Sequence, residues 1–212
     1  MIALWRGLVL IMATLALGGT AMAADADNTL YMDVPFGRVV IAMRPDLAPG
    51  HVAQIKALAR RGFYDGVPFH RVIEGFMAQT GDPTGTGTGG SGHKLTAEFS
   101  KEKHVRGTLS MARTSDPNSA DSQFFIMFGP SPSLDNQYTI WGEVVSGMEY
   151  IDKIKKGDPS RNGSVVNPDK IIKMQVAADA DKAGTAAVQA LSAAPSISPW
   201  RRLCRRRRRP AS

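Results

Sequence analysis

Residues 69–79 concentrate the side chains with the greatest capacity for chemistry in this sequence. Their spacing predicts two short strands that meet at a turn over Glu74-Gly75. Because successive side chains of a strand point to opposite faces, three of them can share one surface: Arg71, Phe76 or Met77, and Gln79. Such a surface is apolar and holds one fixed cation and one amide. It suits an uncharged peptide better than a phosphate or a metal ion.

A second stretch, Ser122–Ile126, repeats this chemistry further along the chain. The elements that must position both stretches are short. Strands are predicted over 29–32, 37–42, 108–112, 123–127, 138–144 and 171–176, in addition to the pair within 69–79. Helices are predicted over 51–60 and 148–155, and Gly62 follows the first where a cap glycine is expected. Seven or eight strands with two helices indicate a mainly β barrel or a sandwich.

The N-terminus has the pattern of a secretory signal peptide over residues 1–23. Arg6 supplies the positive charge, Gly7–Leu17 is the apolar segment, and Ala21-Met22-Ala23 is a small-residue cleavage site. We therefore expect a periplasmic protein or, alternatively, a secreted one. An uncleaved membrane anchor is the competing interpretation, which the short apolar segment disfavours.

The C-terminal residues differ in composition from the rest of the chain. Residues 179–212 are rich in alanine, serine and proline and end in an arginine run, which predicts a disordered tail after a domain over 28–178. Seven arginines between 201 and 209 account for the whole net charge of +7. The body therefore offers no charge argument for a specific nucleic-acid partner. The tail either makes a weak contact with an anionic surface or has no function.

No cofactor or metal site is expected from the sequence. Cys204 is the only cysteine, which excludes an intramolecular disulfide and a thiolate zinc site. The four histidines, His51, His70, His93 and His104, lack the pairing typical of metal ligands. Residues 85–90 match G-x-G-x-x-G, but the residues that follow do not predict the helix that a dinucleotide site needs. A mobile loop beside the peptide surface is expected instead.

These motifs together resemble the cyclophilin-type peptidyl-prolyl cis-trans isomerases over about residues 29–176. The likeness rests on Phe69-His70-Arg71, Gly75-Phe76-Met77 with Gln79, Ser122-Gln123-Phe124-Phe125, and Leu134-Asp135. It implies a closed eight-stranded antiparallel barrel capped by two α-helices. It also implies a monomeric enzyme that rotates X–Pro bonds in proline-containing polypeptides without a cofactor. The signal peptide indicates the exported bacterial type, which would assist the folding of exported proteins.

The resemblance assigns a role to each candidate site residue. Arg71 is implied as the catalytic residue that stabilises the twisted amide, and Gln79 as the group that orients it. The substrate-binding residues implied are Phe76, Met77, Phe125 and Leu134 around the proline, Tyr138 closing the pocket, and Ala112 and Gln123 along the groove. His70 would point to the face opposite Arg71 and support the barrel.

Three positions depart from the eukaryotic pattern of that family. Tyr138 stands in place of a histidine, Ser133 in place of a tryptophan that contacts cyclosporin, and Arg113 in place of an asparagine. Cyclosporin binding is therefore expected to be weak. Because Arg113 and Ser133 alter the groove, a proline-peptide binding module with little turnover is a second hypothesis. An anionic-surface binder acting through residues 201–209 is a third.

Overall fold

The structure is a computed structural model that describes residues 26–180 and residue 182. The chain divides into two units, Met1–Asp179 and Ala180–Ser212, and nearly all of the described residues belong to the first. The predicted signal peptide and almost all of the predicted tail lie outside the described residues. No helix in the described part is both long enough and apolar enough to cross a bilayer.

Eight antiparallel strands make up the domain. They are β1 (Thr29–Val34), β2 (Gly37–Met43), β3 (Arg71–Ile73), β4 (Met77–Thr80), β5 (Thr108–Met111), β6 (Phe124–Met127), β7 (Ile140–Ser146) and β8 (Lys173–Val176). Within one sheet they follow the order β3-β4-β6-β5-β7-β2-β1-β8. The mainly β prediction is confirmed, and the six separately predicted strands differ from the observed bounds by at most two residues. The β3–β4 pair turns at Gly75, whose φ is +72°, as the motif predicted.

The prediction of a closed barrel is overstated, because the named strands form a curled half-barrel. The edge strands β3 and β8 have only three and four residues and do not pair with each other. Instead, an isolated bridge joins Pro68 to Lys170, and the Phe69 N–H donates to the Asp169 carbonyl over 2.9 Å. Since Pro68 has no N–H, the ladder cannot extend through it. We call this junction of residues 66–69 with 169–171 the seam.

Helix α1 (Pro49–Arg60) packs against β8 and β7. It begins with proline at its first position, where the missing N–H costs nothing, and Glu98 accepts hydrogen bonds from the N–H groups of Gly50 and His51. The apolar face of the helix, which consists of Val52, Ile55, Leu58 and Ala59, is buried. Gly62 follows the helix with a φ of +66°, the left-handed conformation expected of a residue that ends a helix.

Helix α2 (Met148–Asp152) packs against β2. It ends three residues before the predicted boundary at residue 155. The N–H of Ile154 bonds to the carbonyl of Ile151, three residues back instead of four. The last turn is therefore tightened to 3₁₀ geometry and cannot continue as an α-helix.

Strand alternation sorts the side chains into two apolar clusters. On β6, Phe124 and Ile126 face the barrel interior, whereas Phe125 and Met127 belong to a smaller cluster on the other face. Phe124 lies edge-on to Trp141 and to Tyr64, with ring centroids 5.3 and 5.7 Å apart. The smaller cluster consists of Met77, Phe125 and Met127, with Ile73, Phe76, Ala112, Leu134 and Tyr138 packed against it. The fold thus provides a stable interior and a separate apolar surface.

Candidate active site

A cavity of about 200 Å³ lies over the smaller apolar cluster. We call it the proline pocket. Eight of the nine predicted site residues line it together with Arg113: Arg71, Phe76, Met77, Gln79, Ala112, Phe125, Leu134 and Tyr138. The ninth, Gln123, lines an adjoining cavity of about 340 Å³, which we call the second cavity. Residues from four separate parts of the sequence therefore meet at one surface.

Arg71 is held on three sides at the edge of the proline pocket. Its Nε donates to the Asn162 carbonyl over 3.0 Å, and one terminal nitrogen donates to the Asn162 Oδ1 over 3.0 Å. The other terminal nitrogen donates to Gln79 Oε1 over 3.1 Å. Partial burial lowers the pKa of Arg71 below its usual value, with Tyr138 acting in the opposite direction. An arginine nevertheless remains charged in proteins, so the site holds a fixed cation.

A chain of hydrogen bonds fixes the orientation of the two glutamine amides. Gln123 Nε2 donates to the carbonyls of Gly87 and Gly89, over 3.0 and 2.8 Å. Because carbonyls only accept, this amide must turn its oxygen toward Gln79, whose Nε2 donates to it over 3.0 Å. The oxygen of Gln79 is then left to face Arg71. The sequence predicted these two glutamines, but not the glycine carbonyls that orient them.

Asn162 is the site residue that sequence reasoning missed. It belongs to a segment that pairs with β3, where the Val72 N–H donates to the Gly163 carbonyl over 2.8 Å. Asn162 and Gly163 both have a positive φ, of 53° and 76°, and a Cβ on Gly163 would lie 2.4 Å from the Ile73 side chain. The Asn-Gly pair is thus a tight turn that places two oxygens against Arg71. Its only signal in the sequence was that of a turn.

Comparison with known proteins decides the family. The family model described as "Cyclophilin type peptidyl-prolyl cis-trans isomerase/CLD" matches residues 29–176. The chain belongs to the cyclophilins. It is therefore a peptidyl-prolyl cis-trans isomerase, as the motifs around Arg71 and Gln123 predicted.

Several relatives resemble this cyclophilin over most of their own length. A probable peptidyl-prolyl cis-trans isomerase of Brucella suis is 58% identical over 172 residues, which cover 76% of this chain and 88% of that protein. Peptidyl-prolyl cis-trans isomerase B of Bacillus subtilis is 44% identical over 123 residues, or 57% of this chain and 85% of that one. A Cryptosporidium parvum cyclophilin, crystallised in the presence of the dipeptide Ala-Pro, has a TM-score of 0.64 at 30% identity. That comparison covers 70% of this chain and 98% of the other.

The glycine-rich loop of this cyclophilin is anchored by a buried carboxylate. Asp82 accepts hydrogen bonds from the N–H groups of Thr84, Gly87 and Gly89. Burial of the carboxyl acts to raise its pKa, but the hydrogen bonds from Thr84, Gly89 and Gly87 outweigh it and lower the pKa to about 2. A Cβ on Gly89 would lie 2.2 Å from the carboxylate, so glycine is required there. Residues 91–100, which follow the loop, form no helix.

His70 and His104 of the cyclophilin are buried. His70 is only 8% exposed, next to Arg71 in the chain. Burial lowers the pKa of His70, although the Asp82 carboxylate opposes that shift. His104 is also buried, and its Nδ1 lies 3.1 Å from the Asp135 carboxylate. Within residues 26–180, no three His, Cys, Asp or Glu side chains form a group that could hold a metal ion.

Two of the three departures from the eukaryotic pattern lie in the proline pocket, and the third lies outside its lining. Arg113 and Tyr138 line the proline pocket. Ser133 is exposed, and its carbonyl accepts a hydrogen bond from Gln137 Nε2 over 3.1 Å. This position therefore offers a hydroxyl to solvent where the eukaryotic pattern has a broad aromatic surface.

Proposed function

We propose that this cyclophilin rotates X–Pro bonds in exported proteins and that Arg71 is its catalytic residue. The observation that carries the proposal is a guanidinium held by Asn162 and Gln79 beside a cavity of about 200 Å³ that lies over an apolar cluster. The apolar part of the cavity can seat a proline ring. The cation can then act on the peptide bond that precedes it. No nucleophile or proton transfer is needed.

The chemistry follows from amide resonance. Rotation about a peptide bond has a barrier of about 18–20 kcal/mol, because the nitrogen lone pair is delocalised into the carbonyl. In the twisted state the lone pair returns to the nitrogen, which then accepts a hydrogen bond. A donor aimed at that nitrogen stabilises the twisted state more than the planar one and so accelerates rotation. Arg71 can supply this donor, since its hydrogen bonds to Asn162 and Gln79 engage only three of its five N–H groups.

Proline-containing polypeptides are the proposed substrates. The related Cryptosporidium cyclophilin was crystallised in the presence of Ala-Pro, which supports a proline peptide as the ligand of this pocket as well. Met77 and Phe125, 1% and 6% exposed, would form the floor under the ring. Because the proline pocket and the second cavity share Gln79, Ala112 and Arg113, the second cavity can accommodate a chain that continues beyond the proline.

The catalytic proposal is tested by measuring X–Pro rotation with the chain that lacks the predicted signal peptide. Arg71→Ala should lower kcat/KM by about 100-fold or more, the loss typical when a preorganised transition-state donor is removed. Arg71→Lys should also be impaired, because lysine has no planar fork that Asn162 and Gln79 can hold together.

The matched control is Arg106→Ala. Arg106 pairs with Asp152 on the surface over 2.6 Å and should not affect rotation. An Arg71→Ala variant with the parent rate would refute the mechanism. A parent that binds a proline peptide without rotating it would favour the binding-module hypothesis instead.

The exported location is proposed from the sequence of residues 1–23. Fractionation of cells that express the full chain should place a shortened product in the periplasm. Replacing Ala21 and Ala23 with arginine should block the shortening. Recovery of the unshortened chain from the cytoplasm in the parent would contradict export, without bearing on the role of Arg71.

A further inference from the structure

Arg113 and Tyr138, two of the residues that depart from the eukaryotic pattern, contact each other. The Arg113 guanidinium carbon lies 4.4 Å from the centroid of the Tyr138 ring. A guanidinium at that distance over an aromatic face is attracted by the ring's negative π surface. The two departures are therefore one coupled feature of this chain.

Hydrogen bonds strengthen the contact. Nε and one terminal nitrogen of Arg113 both donate to the Gln137 carbonyl, over 3.2 and 2.8 Å. The other terminal nitrogen donates to the Thr114 carbonyl over 2.9 Å. Because Gln137 immediately precedes Tyr138, the Arg113 side chain holds both the ring and the backbone that carries it. All three guanidinium nitrogens of Arg113 therefore donate to backbone carbonyls.

The contact of Arg113 with Tyr138 continues a backbone connection that ends two residues before Arg113, on β5. The Met111 N–H donates to the Thr139 carbonyl over 2.9 Å. Beyond that bond the two segments separate, and the Arg113 side chain bridges the gap. At the other end of this segment the Ser131 N–H donates to the His104 carbonyl over 2.9 Å, and Asp135 accepts from the N–H of His104 over 2.9 Å. Residues 131–138 are thus held at both ends.

Tyr138 in turn packs against Phe125, which forms part of the floor of the proline pocket. Its ring meets Phe125 edge-on, with centroids 5.8 Å apart and planes at 77°. Arg113 lines both the proline pocket and the second cavity, whereas Tyr138 lines the first. Arg113, Tyr138 and Phe125 therefore form a continuous wall, and Arg113 stands where the two cavities meet.

We infer that Arg113 is a positioning residue of the proline pocket, which acts through Tyr138 on peptide affinity. It sets the position of the Tyr138 ring and so the width of the pocket between that ring and Phe125. The inference rests on the proposed function of the same site. Because the wall contacts the proline ring and not the rotating amide, its loss affects KM and not kcat.

A double-mutant cycle on the chain without residues 1–23 tests this coupling. Arg113→Ala keeps the backbone of the groove, and we expect it to raise KM and the dissociation constant of an Ala-Pro peptide about 5- to 10-fold, with kcat within about twofold of the parent. Tyr138→Leu should have a similar effect. The double variant should be no worse than the stronger single variant, since both remove one wall. Tyr138→Phe, which keeps the ring, should restore nearly parental affinity.

The matched control pair lies on the β1–β2 hairpin. The Arg38 guanidinium lies 4.7 Å from the Tyr31 centroid, and Arg38 also pairs with Asp33 over 2.7 Å. Neither Arg38 nor Tyr31 lines the two cavities. Arg38→Ala should leave KM and peptide affinity unchanged. This result would show that the effect of Arg113→Ala is specific to the pocket and does not follow from the loss of any arginine–tyrosine contact.

Additive effects of Arg113→Ala and Tyr138→Leu, or a loss confined to kcat, would overturn the inference. An unchanged dissociation constant in folded Arg113→Ala would also overturn it. Peptide binding can be measured even in a parent that does not rotate X–Pro bonds. Failure of the Arg71 mechanism is therefore distinguishable from failure of the Arg113–Tyr138 wall.

Discussion

The two sides of the groove are built in different ways. One side is a polar row in which Asn162, Arg71, Gln79 and Gln123 follow each other, each joined to the next by hydrogen bonds of 3.0 to 3.1 Å. The other side is the apolar part of the proline pocket, where Phe76, Met77, Phe125 and Leu134 touch through apolar surface. Hydrogen bonds specify direction, whereas apolar packing specifies mainly shape and volume. The polar row is therefore suited to fixing a catalytic group, and the apolar side to providing affinity.

This difference predicts that substitutions in the polar row change kcat, while those in the pocket change KM. The Arg71 substitution is expected to have the largest effect. Substitutions with smaller expected effects test this separation of kcat from KM, and each has a control variant at a residue of the same type.

Asn162→Gly should lower kcat roughly tenfold, about 1.4 kcal/mol of transition-state stabilisation, with little change in KM. Glycine keeps the backbone carbonyl and tolerates the positive φ of 53°, so only the Oδ1 acceptor for Arg71 is removed. Asn167→Gly is the control, because Asn167 has a similar φ of 51°. A kinetic comparison in which both variants behave alike would show that Asn162 does not position Arg71.

Phe125→Leu should raise KM several-fold, roughly five to ten times, and leave kcat near the parent value. Phe124→Leu is the control from the opposite face of β6, where Phe124 packs against Trp141. That variant should lower the melting temperature, because a large core side chain is reduced, without changing KM. Equal effects of the two substitutions on KM would contradict the separation between core and pocket.

Asp82→Asn should loosen the glycine-rich loop and weaken the carbonyl contacts to Gln123. Replacing an acceptor carboxylate that receives several N–H bonds costs on the order of 2 kcal/mol, and the melting temperature should fall by roughly 4–8 °C. We expect the rate to change less than with Asn162→Gly, since the loop acts on Arg71 through two glutamines. Asp116→Asn is the control, because the Asp116 carboxylate accepts from the N–H of Asn118 at an exposed turn.

The smallest expected effect is a decline in stability below about pH 6.5. Burial lowers the pKa of both His70 and His104 from the usual 6.5, so below that pH the unfolded chain binds more protons than the folded one. The free energy of unfolding therefore falls as the pH falls. Asp82, with a pKa of about 2, contributes above 3.8 and loses its contribution only in stronger acid.

Thermal melts at pH 7, 6 and 5 measure this decline. His70→Gln should flatten the slope between pH 7 and 5, whereas His93→Gln, at an exposed position, should not. A slope that is the same in all three proteins would show that burial of His70 does not govern the dependence.

Local patterns carried the sequence prediction a long way. The motif around Arg71, Phe76, Met77 and Gln79 is contained within nine residues, and strand alternation was enough to place its side chains on one surface. The predicted closure of the barrel was overstated because the seam depends on the lengths of β3 and β8 and on Pro68, which no periodicity reveals. Asn162 was missed because it meets Arg71 across 91 residues. The sequence analysis noted both Arg113 and Tyr138 but did not predict their contact. Residues that are distant in the sequence can meet in the fold without any local pattern that shows it.

The pairing of β1 with β8 has a consequence for the order of folding. Leu30 lies opposite Val176, and Asp33 lies opposite Lys173, so the first strand of the domain completes its hydrogen bonds with the last. When the chain is delivered with its N-terminus first, one edge of β1 remains unpaired until residue 176 is available. Contacts between such distant residues form slowly, because a long loop must close first. The domain can therefore become fully native only after its final strand has been delivered.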